Sequence, residues 1–408
     1  MNWKLYIDNK SFMRSNLSLD NLKRVLEVLD NPQDKVKMIH VAGTNGKGTT
    51  CRYIYDILRK HGYNVGLYTS PHIHIYNERI EINGNYISDY YMEKFTKTII
   101  GIEEKENIFL SKFEFLTVIA FLYFRNKCCD YAVIEVGMGG RFDATNVIEK
   151  PAVSVITNIG LDHTKYLGNT IKKIAFEKAG IIKENTPVVC YDLDSRALPV
   201  IEKEAYDKGA NLYVSDFDLL DIKKMDLDNS IFDYKNFNDI KIKLLGKSAI
   251  YNACVAIDAI NLIFDNLNKD ILYKALENTT ISYRFQNMGN NIIFDVSHNE
   301  QSVKSMISNL NLYFKDKSII FVYGILSDKN YIKVTNLVKD IGDRFYLTKP
   351  YNKRALDPLI ISKILKNKDI SIIKDPTKAI NSAILEKNSN EAIIVFGSFY
   401  NYRSKDEL

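Results

Sequence analysis

Apolar residues first recur at helical spacing in residues 19–29, where Leu22, Val25, Leu26 and Leu29 share one face, and the pattern stops at Asn31-Pro32. An apolar run over 36–42 then predicts a strand, which opens into a glycine-rich turn over 43–49. A helical stretch follows through Leu58 and ends at His61-Gly62, and residues 65–68 read as the next strand. Strand, turn, helix and strand in this order make a βαβ unit, which implies a parallel sheet with a right-handed crossover. The rhythm continues with a helix over 113–126, strands over 131–136 and 152–157, a helix over 171–179 and a strand over 187–190. Runs such as Ala132-Val133-Ile134-Glu135-Val136 read as strands buried on both faces.

From 211 to 245 the pattern weakens into short strands interrupted by polar residues, and a helix over 249–262 leads to Tyr283-Arg284-Phe285-Gln286-Asn287. The βα rhythm then restarts, with strands over 292–295, 318–323, 344–347, 370–373 and 392–396. The expected fold is α/β: a P-loop-type parallel-sheet domain over 1–284, followed by a smaller Rossmann-like α/β domain over 285–408.

Composition agrees with two cores. The 408 residues are 46% hydrophobic, 26% charged and 12% aromatic, which excludes a disordered or collagen-like chain. A single core rarely grows past roughly 250–300 residues. Lys and Arg number 55 against 50 Asp and Glu, and the net charge of +5 is thinly spread, so no nucleic-acid partner is expected. No apolar stretch approaches the roughly 20 residues that span a bilayer, and the first residues lack a signal-peptide core. A cytoplasmic protein with no membrane partner is the expectation. The final Lys405-Asp406-Glu407-Leu408 spells an endoplasmic-reticulum retention address, which is read only on secretory proteins and is expected to be coincidental here. The five cysteines form no CxxC pair, so neither disulfides nor a zinc site are expected.

Candidate chemistry concentrates in Gly43-Thr44-Asn45-Gly46-Lys47-Gly48-Thr49, between a strand and a helix, where backbone amides and the helix dipole receive phosphate oxygens. It departs from GxxxxGK[ST]: only two residues separate Gly43 from Gly46, and Gly48 intervenes between Lys47 and Thr49. A lysine flanked by glycines and followed by hydroxyls still points to nucleotide binding rather than an ordinary turn. Bound phosphates call for magnesium, and Glu135, at the end of a buried strand, is placed to serve it.

The stretch His40-Val41-Ala42 with the loop after it resembles the signature of the Mur ligase superfamily, specifically of folylpolyglutamate synthase/dihydrofolate synthase. Further blocks carry the resemblance: Thr69-Ser70-Pro71-His72 with Asn77-Glu78-Arg79-Ile80; Glu135 through Asn146; Thr157 through His163; and Ile174 through Ile181. Asp295-Val296-Ser297-His298-Asn299, Gly324 through Lys329 and Gly397 through Tyr400 match later blocks, so the match covers nearly the whole chain.

The resemblance implies an ATP-dependent ligase that phosphorylates a pterin-bearing carboxylate and passes the acyl phosphate to the amine of L-glutamate, releasing ADP. Ser70, Glu135 and His163, with Thr49, are implied magnesium ligands. Lys178 is the implied site of a carbamate that holds a second ion. Asn252, Arg284 and Asp295 are implied ATP contacts, and His298 a neighbour of the incoming amino acid. Ser111, Phe113, Glu114, Phe142, Asp143 and Ala144 occupy the stretches implied to bind dihydropteroate. A potassium-type monovalent cation and a monomeric state are also implied. Read without the resemblance, His163 fits a structural histidine, Lys178 an exposed partner of Glu177 or Glu184, Phe113 and Phe142 core aromatics, and Arg284 a linker salt bridge.

Two departures stand out. The family's Gly-x-His-Gln is Gly246-Lys247-Ser248-Ala249 here, and its Pro-Gly before the linker arginine is Ser282-Tyr283. They motivate one alternative, a catalytically silent nucleotide-binding relative. Another is a Mur-type ligase for a non-folate acid, although about 40 residues ahead of the phosphate loop are too few for an extra nucleotide-sugar domain.

Overall fold

A computed structural model describes residues 2–11, 18–191, 194–264 and 266–402. The terminal Lys405–Leu408 tetrapeptide lies outside them. Contacts divide the chain into two compact units: Met1–Gly160, Thr164–Leu219 and Tyr251–Leu276 form the first, and Leu161–His163, Leu220–Ile250 and Glu277–Leu408 the second.

The first unit is built on an eight-stranded sheet of β1 (Lys37–Ala42), β2 (Val65–Tyr68), β3 (Ile80–Ile82), β4 (Asn85–Tyr86), β5 (Tyr131–Glu135), β6 (Val153–Ile156), β7 (Val188–Cys190) and β8 (Leu212–Val214). Their order is β4-β3-β2-β5-β1-β6-β7-β8. All neighbours from β2 to β8 pair in parallel, and β3 and β4 add an antiparallel edge. With β1 between β5 and β6, the loops that follow parallel strands leave at one edge of the sheet, where α/β proteins place their ligands.

Both faces are covered. The helix Lys112–Asn126 is apolar nearly all round and buries Phe115, Phe121 and Phe124, so it lies inside the core rather than on its surface. A Cβ at Gly66 of β2 would come within 2.5 Å of the Phe124 ring, so only glycine admits this packing. The 18-residue helix Asp89–Glu106, absent from the sequence-based reading, packs Met92, Phe95 and Ile99 on the same core.

The second unit holds an antiparallel sheet of β9 (Leu220–Met225), β10 (Ser230–Tyr234) and β11 (Phe237–Ile242). It also holds a six-stranded sheet of β12 (Gln286–Asn287), β13 (Ile292–Phe294), β14 (Ser318–Tyr323), β15 (Arg344–Leu347), β16 (Asp369–Ile372) and β17 (Glu391–Phe396), ordered β12-β13-β17-β14-β15-β16. Every pair but β12-β13 is parallel. Separate apolar clusters lie on its two faces, around Phe321 and Phe345 on one and Val322 and Tyr346 on the other, as alternation along β14 and β15 requires. Among the described residues no helix is long and apolar enough to cross a membrane.

Candidate active site

In the first unit the loop after β1 bends tightly because its glycines face other side chains. A Cβ at Gly43 would fall 1.7 Å from Thr157 Oγ1, and one at Gly46, whose φ is +86°, would fall 2.4 Å from Asn252 Oδ1. Thr157 and Asn158 follow β6 and brace the loop from below. Thr157 Oγ1 donates to the Asn45 carbonyl at 2.7 Å, and Asn158 Oδ1 accepts the Asn45 N–H at 3.2 Å. Thr44 Oγ1 donates to the Gly160 carbonyl and accepts from the Gly160 N–H, both at 3.0 Å. The helix Lys47–Lys60 then begins with Gly46 as its N-cap and no side-chain cap, so its first-turn amides remain available to an anion.

Two cations converge on this bend. Lys47 Nζ donates to the carbonyls of Gly43 at 3.1 Å and Thr44 at 3.3 Å. Lys178, from the helix Ile171–Ala179, is 4% exposed and donates from Nζ to the Gly43 carbonyl at 2.7 Å. That burial removes the exposed ion pair with Glu177 or Glu184 as its reading. Close packing sets the position of this helix: a Cβ at Gly140 would meet the Glu177 and Lys178 carbonyl oxygens at 2.6 and 2.9 Å.

Glu135 ends β5 opposite Val41, and its side chain is buried against the loop. Its Oε2 accepts the Ser70 N–H at 2.9 Å, and a Cβ at Gly48 would lie 3.6 Å from the same oxygen. Thr49, the next residue, is buried in the first turn of the helix Lys47–Lys60. The Glu135 carboxylate and the hydroxyls of Thr49 and Ser70 are hard oxygen donors, a set that fits magnesium beside loop-bound phosphate. Among the described residues no three His, Cys, Asp or Glu side chains gather into a metal cage.

Beside Glu135, Phe113 is half-buried, stacks on Tyr68 with ring centroids 5.9 Å apart, and packs so closely on Gly137 that a Cβ there would lie 2.5 Å from the ring. Ser111 and Glu114 form the capping box of helix Lys112–Asn126, with Ser111 Oγ donating to Glu114 Oε2 at 2.6 Å. Asp143 and Ala144 are buried, whereas the Phe142 ring is 44% exposed and is no core residue.

The remaining residues lie in the second unit. Asp162 gathers charge: Lys329 Nζ lies 2.9 Å from its Oδ1, Asn299 Nδ2 donates to Oδ2 at 3.1 Å, and His298 Nε2 lies 3.7 Å from Oδ2. Burial alone would raise the Asp162 pKa, but the facing His298 imidazole, the Lys329 ammonium and His163 outweigh it and hold the carboxyl far below the usual range. His163 follows at φ +50°, its backbone N–H bonded to the Asp162 carboxylate. His298 Nδ1 donates to the Val296 carbonyl at 2.8 Å, which turns Nε2 toward Asp162. Asp295, its pKa raised by burial, accepts the N–H groups of Phe285 and Ser297, and Arg284 lies over the Phe399 ring at 5.1 Å. Ser248, where the family has histidine, pairs its hydroxyl with that of Ser305 at 2.8 Å.

Asp162, Lys329, Thr157 and Asn158 escaped the sequence reading as site residues. The motif blocks contain all four, but only folding reveals which side chains meet.

A lysine-bearing glycine loop at the carboxyl edge of a parallel sheet, with a buried carboxylate against it, defines an α/β enzyme of the P-loop type. Residues 41–260 match the Mur ligase middle domain, and residues 283–399 match the Mur ligase, glutamate ligase domain. The Bacillus subtilis dihydrofolate synthase/folylpolyglutamate synthase is 33% identical over 97% of both chains. A folylpolyglutamate synthase crystal structure from Thermotoga maritima superposes with a TM-score of 0.85 at 34% identity, covering 98% of this chain and 94% of that one. The bifunctional enzyme of Yersinia pestis, complexed with AMPPNP and a manganese ion, superposes with a TM-score of 0.87 at 28% identity over 98% and 95%. The chain belongs to the dihydrofolate synthase/folylpolyglutamate synthase family of the Mur ligases, ATP-dependent, ADP-forming enzymes that join an amino acid to an acid.

Proposed function

We propose that this chain uses ATP to join L-glutamate to a folate-type carboxylate, either dihydropteroate or a folylpolyglutamate, through an acyl phosphate. The observation that carries the reading is the buried Glu135 carboxylate against Gly48, one residue from the Thr49 hydroxyl, beside a loop that Lys47 and Lys178 both reach. Gly43 to Thr49 bind the triphosphate through backbone amides, and Lys47 offsets charge on the transferred phosphoryl group. Asn252, Arg284 and Asp295 complete the nucleotide site. Thr49, Ser70, Glu135 and His163 are the residues for magnesium, which when bound neutralises phosphate charge and polarises the transferring group. Lys178 carries a carbamate that serves a second such ion, and a potassium-type cation assists.

Phe113 offers the pterin an aromatic face, and Ser111, Glu114, Phe142, Asp143 and Ala144 line its surroundings. His298 lies near the incoming glutamate. Residues 1–284 act as the nucleotide and pterin domain and 285–408 as the glutamate ligase domain, in a monomeric cytoplasmic enzyme.

The test is ADP release by purified protein given ATP, magnesium and L-glutamate, with dihydropteroate or a reduced folate added singly. Release that depends on glutamate and on one of the pterins supports the reading, and its absence with every pterin overturns it.

A further inference from the structure

His40 stands on β1, fully buried, three residues before Gly43. Its Nε2 lies 2.7 Å from Thr145 Oγ1, and its buried Nδ1 has no hydrogen-bond partner. Thr145 Oγ1 lies 2.7 Å from Asp143 Oδ1. The Asp143 carboxyl also receives the N–H groups of Thr145 on Oδ1 at 3.0 Å and of Met138 on Oδ2 at 2.9 Å.

Burial raises the Asp143 pKa, while its donors, the Thr145 hydroxyl and the Thr145 and Met138 amides, favour the ionised form that they solvate. A carboxylate only accepts, and a hydroxyl has a single hydrogen. Thr145 therefore gives its hydrogen to Asp143, and its oxygen accepts one from His40. That sets the imidazole as the Nε2–H tautomer.

We propose that His40 is a positioning residue for the acceptor site, whose Nε2–H acts through Thr145 and Asp143 to fix the loop 137–140 against the Phe113 ring. The proposal rests on the acceptor role given above to Phe113 and Asp143. Asp143 holds the Met138 amide, and Gly137, the residue before it, is the one on which the Phe113 ring packs with no space for a Cβ. A loop that loses its tether moves the ring. His40 itself touches no reactant, and because it sits on β1 the same relay joins the acceptor loop to the strand from which the phosphate loop springs.

The test compares His40→Leu, His40→Gln and Thr145→Val in the full chain. Glutamine places an amide nitrogen near the position of Nε2 and keeps the donor; leucine removes it. Thr145→Val preserves shape and deletes the hydroxyl, which covers the case of a His40→Leu chain that does not fold. His40→Leu and Thr145→Val are expected to raise the KM for the pterin acceptor about tenfold, the worth of a lost buried hydrogen bond, with kcat and the KM for ATP within about twofold of wild type. His40→Gln is expected to restore the acceptor KM to within about threefold.

Nitrogen-15 spectra should assign to His40 a neutral Nε2–H imidazole, a signal that disappears in His40→Gln. An Nδ1–H tautomer at His40 overturns the proposal, because it reverses the relay. So do equal losses for ATP and acceptor, or no rescue by glutamine. A wild-type enzyme that turns over pterins while the variants match it overturns this inference alone; a wild-type enzyme inactive with every pterin overturns the functional reading and the acceptor role with it.

Discussion

The ammonium of Lys178 lies 2.7 Å from the carbonyl oxygen of Gly43, inside the unit and at the root of the phosphate loop. Lys178→Met removes that bond and any carbamate together. A fall of about 100-fold in kcat is expected, with the fold retained, since a hydrogen bond to a charged group is worth roughly that factor. Rates of ADP release measure it, and carbon-13 spectra in labelled bicarbonate should show a carbamate signal in wild type that the variant lacks.

Gly46 and Gly48 separate two kinds of glycine in the same loop. At Gly46 the backbone is left-handed and a Cβ would fall 2.4 Å from Asn252 Oδ1, whereas at Gly48 it would meet Glu135 at an ordinary 3.6 Å. Gly46→Ala is expected to weaken ATP binding by more than about tenfold and Gly48→Ala by less than about threefold, a strained backbone costing on the order of 1–3 kcal/mol. Calorimetric titration of both variants with a non-hydrolysable ATP analogue gives the comparison.

These positions were legible because glycine, lysine and hydroxyl fall within seven consecutive residues, a spacing that only a phosphate loop explains well. The βα rhythm likewise gave β1, β2, β5, β6, β7 and β13 to β17 to within a residue or two, since buried parallel strands are continuous apolar runs. Helix Asp89–Glu106 was missed because tyrosines and lysines dilute its apolar stripe, and the β3–β4 hairpin because three- and two-residue strands carry too little alternation. Asp162 and Lys329 are 167 residues apart in sequence, so no local pattern pairs them. His40 was visible only as part of a motif; its burial, which decides its chemistry, comes from the strands on either side.

The Asp162–Lys329 pair is largely shielded from solvent, with side chains 13% and 11% exposed. Removing one partner leaves the other charge buried and uncompensated. Asp162→Asn and Lys329→Met are each expected to cost about 3 kcal/mol of stability, and the double variant less than their sum, with a coupling of about 1–3 kcal/mol. Urea denaturation of the four proteins of the cycle reads this directly.

Burial, reinforced by the nearby Lys183 ammonium, pushes the His40 pKa down to about 3. In the unfolded chain its pKa is the ordinary value of about 6.5, so below that pH the unfolded state binds a proton that the native state refuses. This contribution is complete above about pH 6.5 and is lost as pH falls, at about 1.4 kcal/mol per pH unit toward the folded value. His40→Gln carries no such proton. Its stability, measured by urea denaturation, should therefore fall less steeply than that of wild type between about pH 6 and 4.

Product formation in a single assay bears most directly on the function. Protein, ATP, magnesium, L-glutamate and dihydropteroate or a reduced folate are mixed, and ADP is quantified alongside the mass of the pterin product. The expected result is one ADP for each glutamate joined to the pterin, with none when glutamate or pterin is omitted and none in Lys47→Ala. ADP formed without either co-substrate, or no pterin gaining the mass of a glutamate, contradicts it.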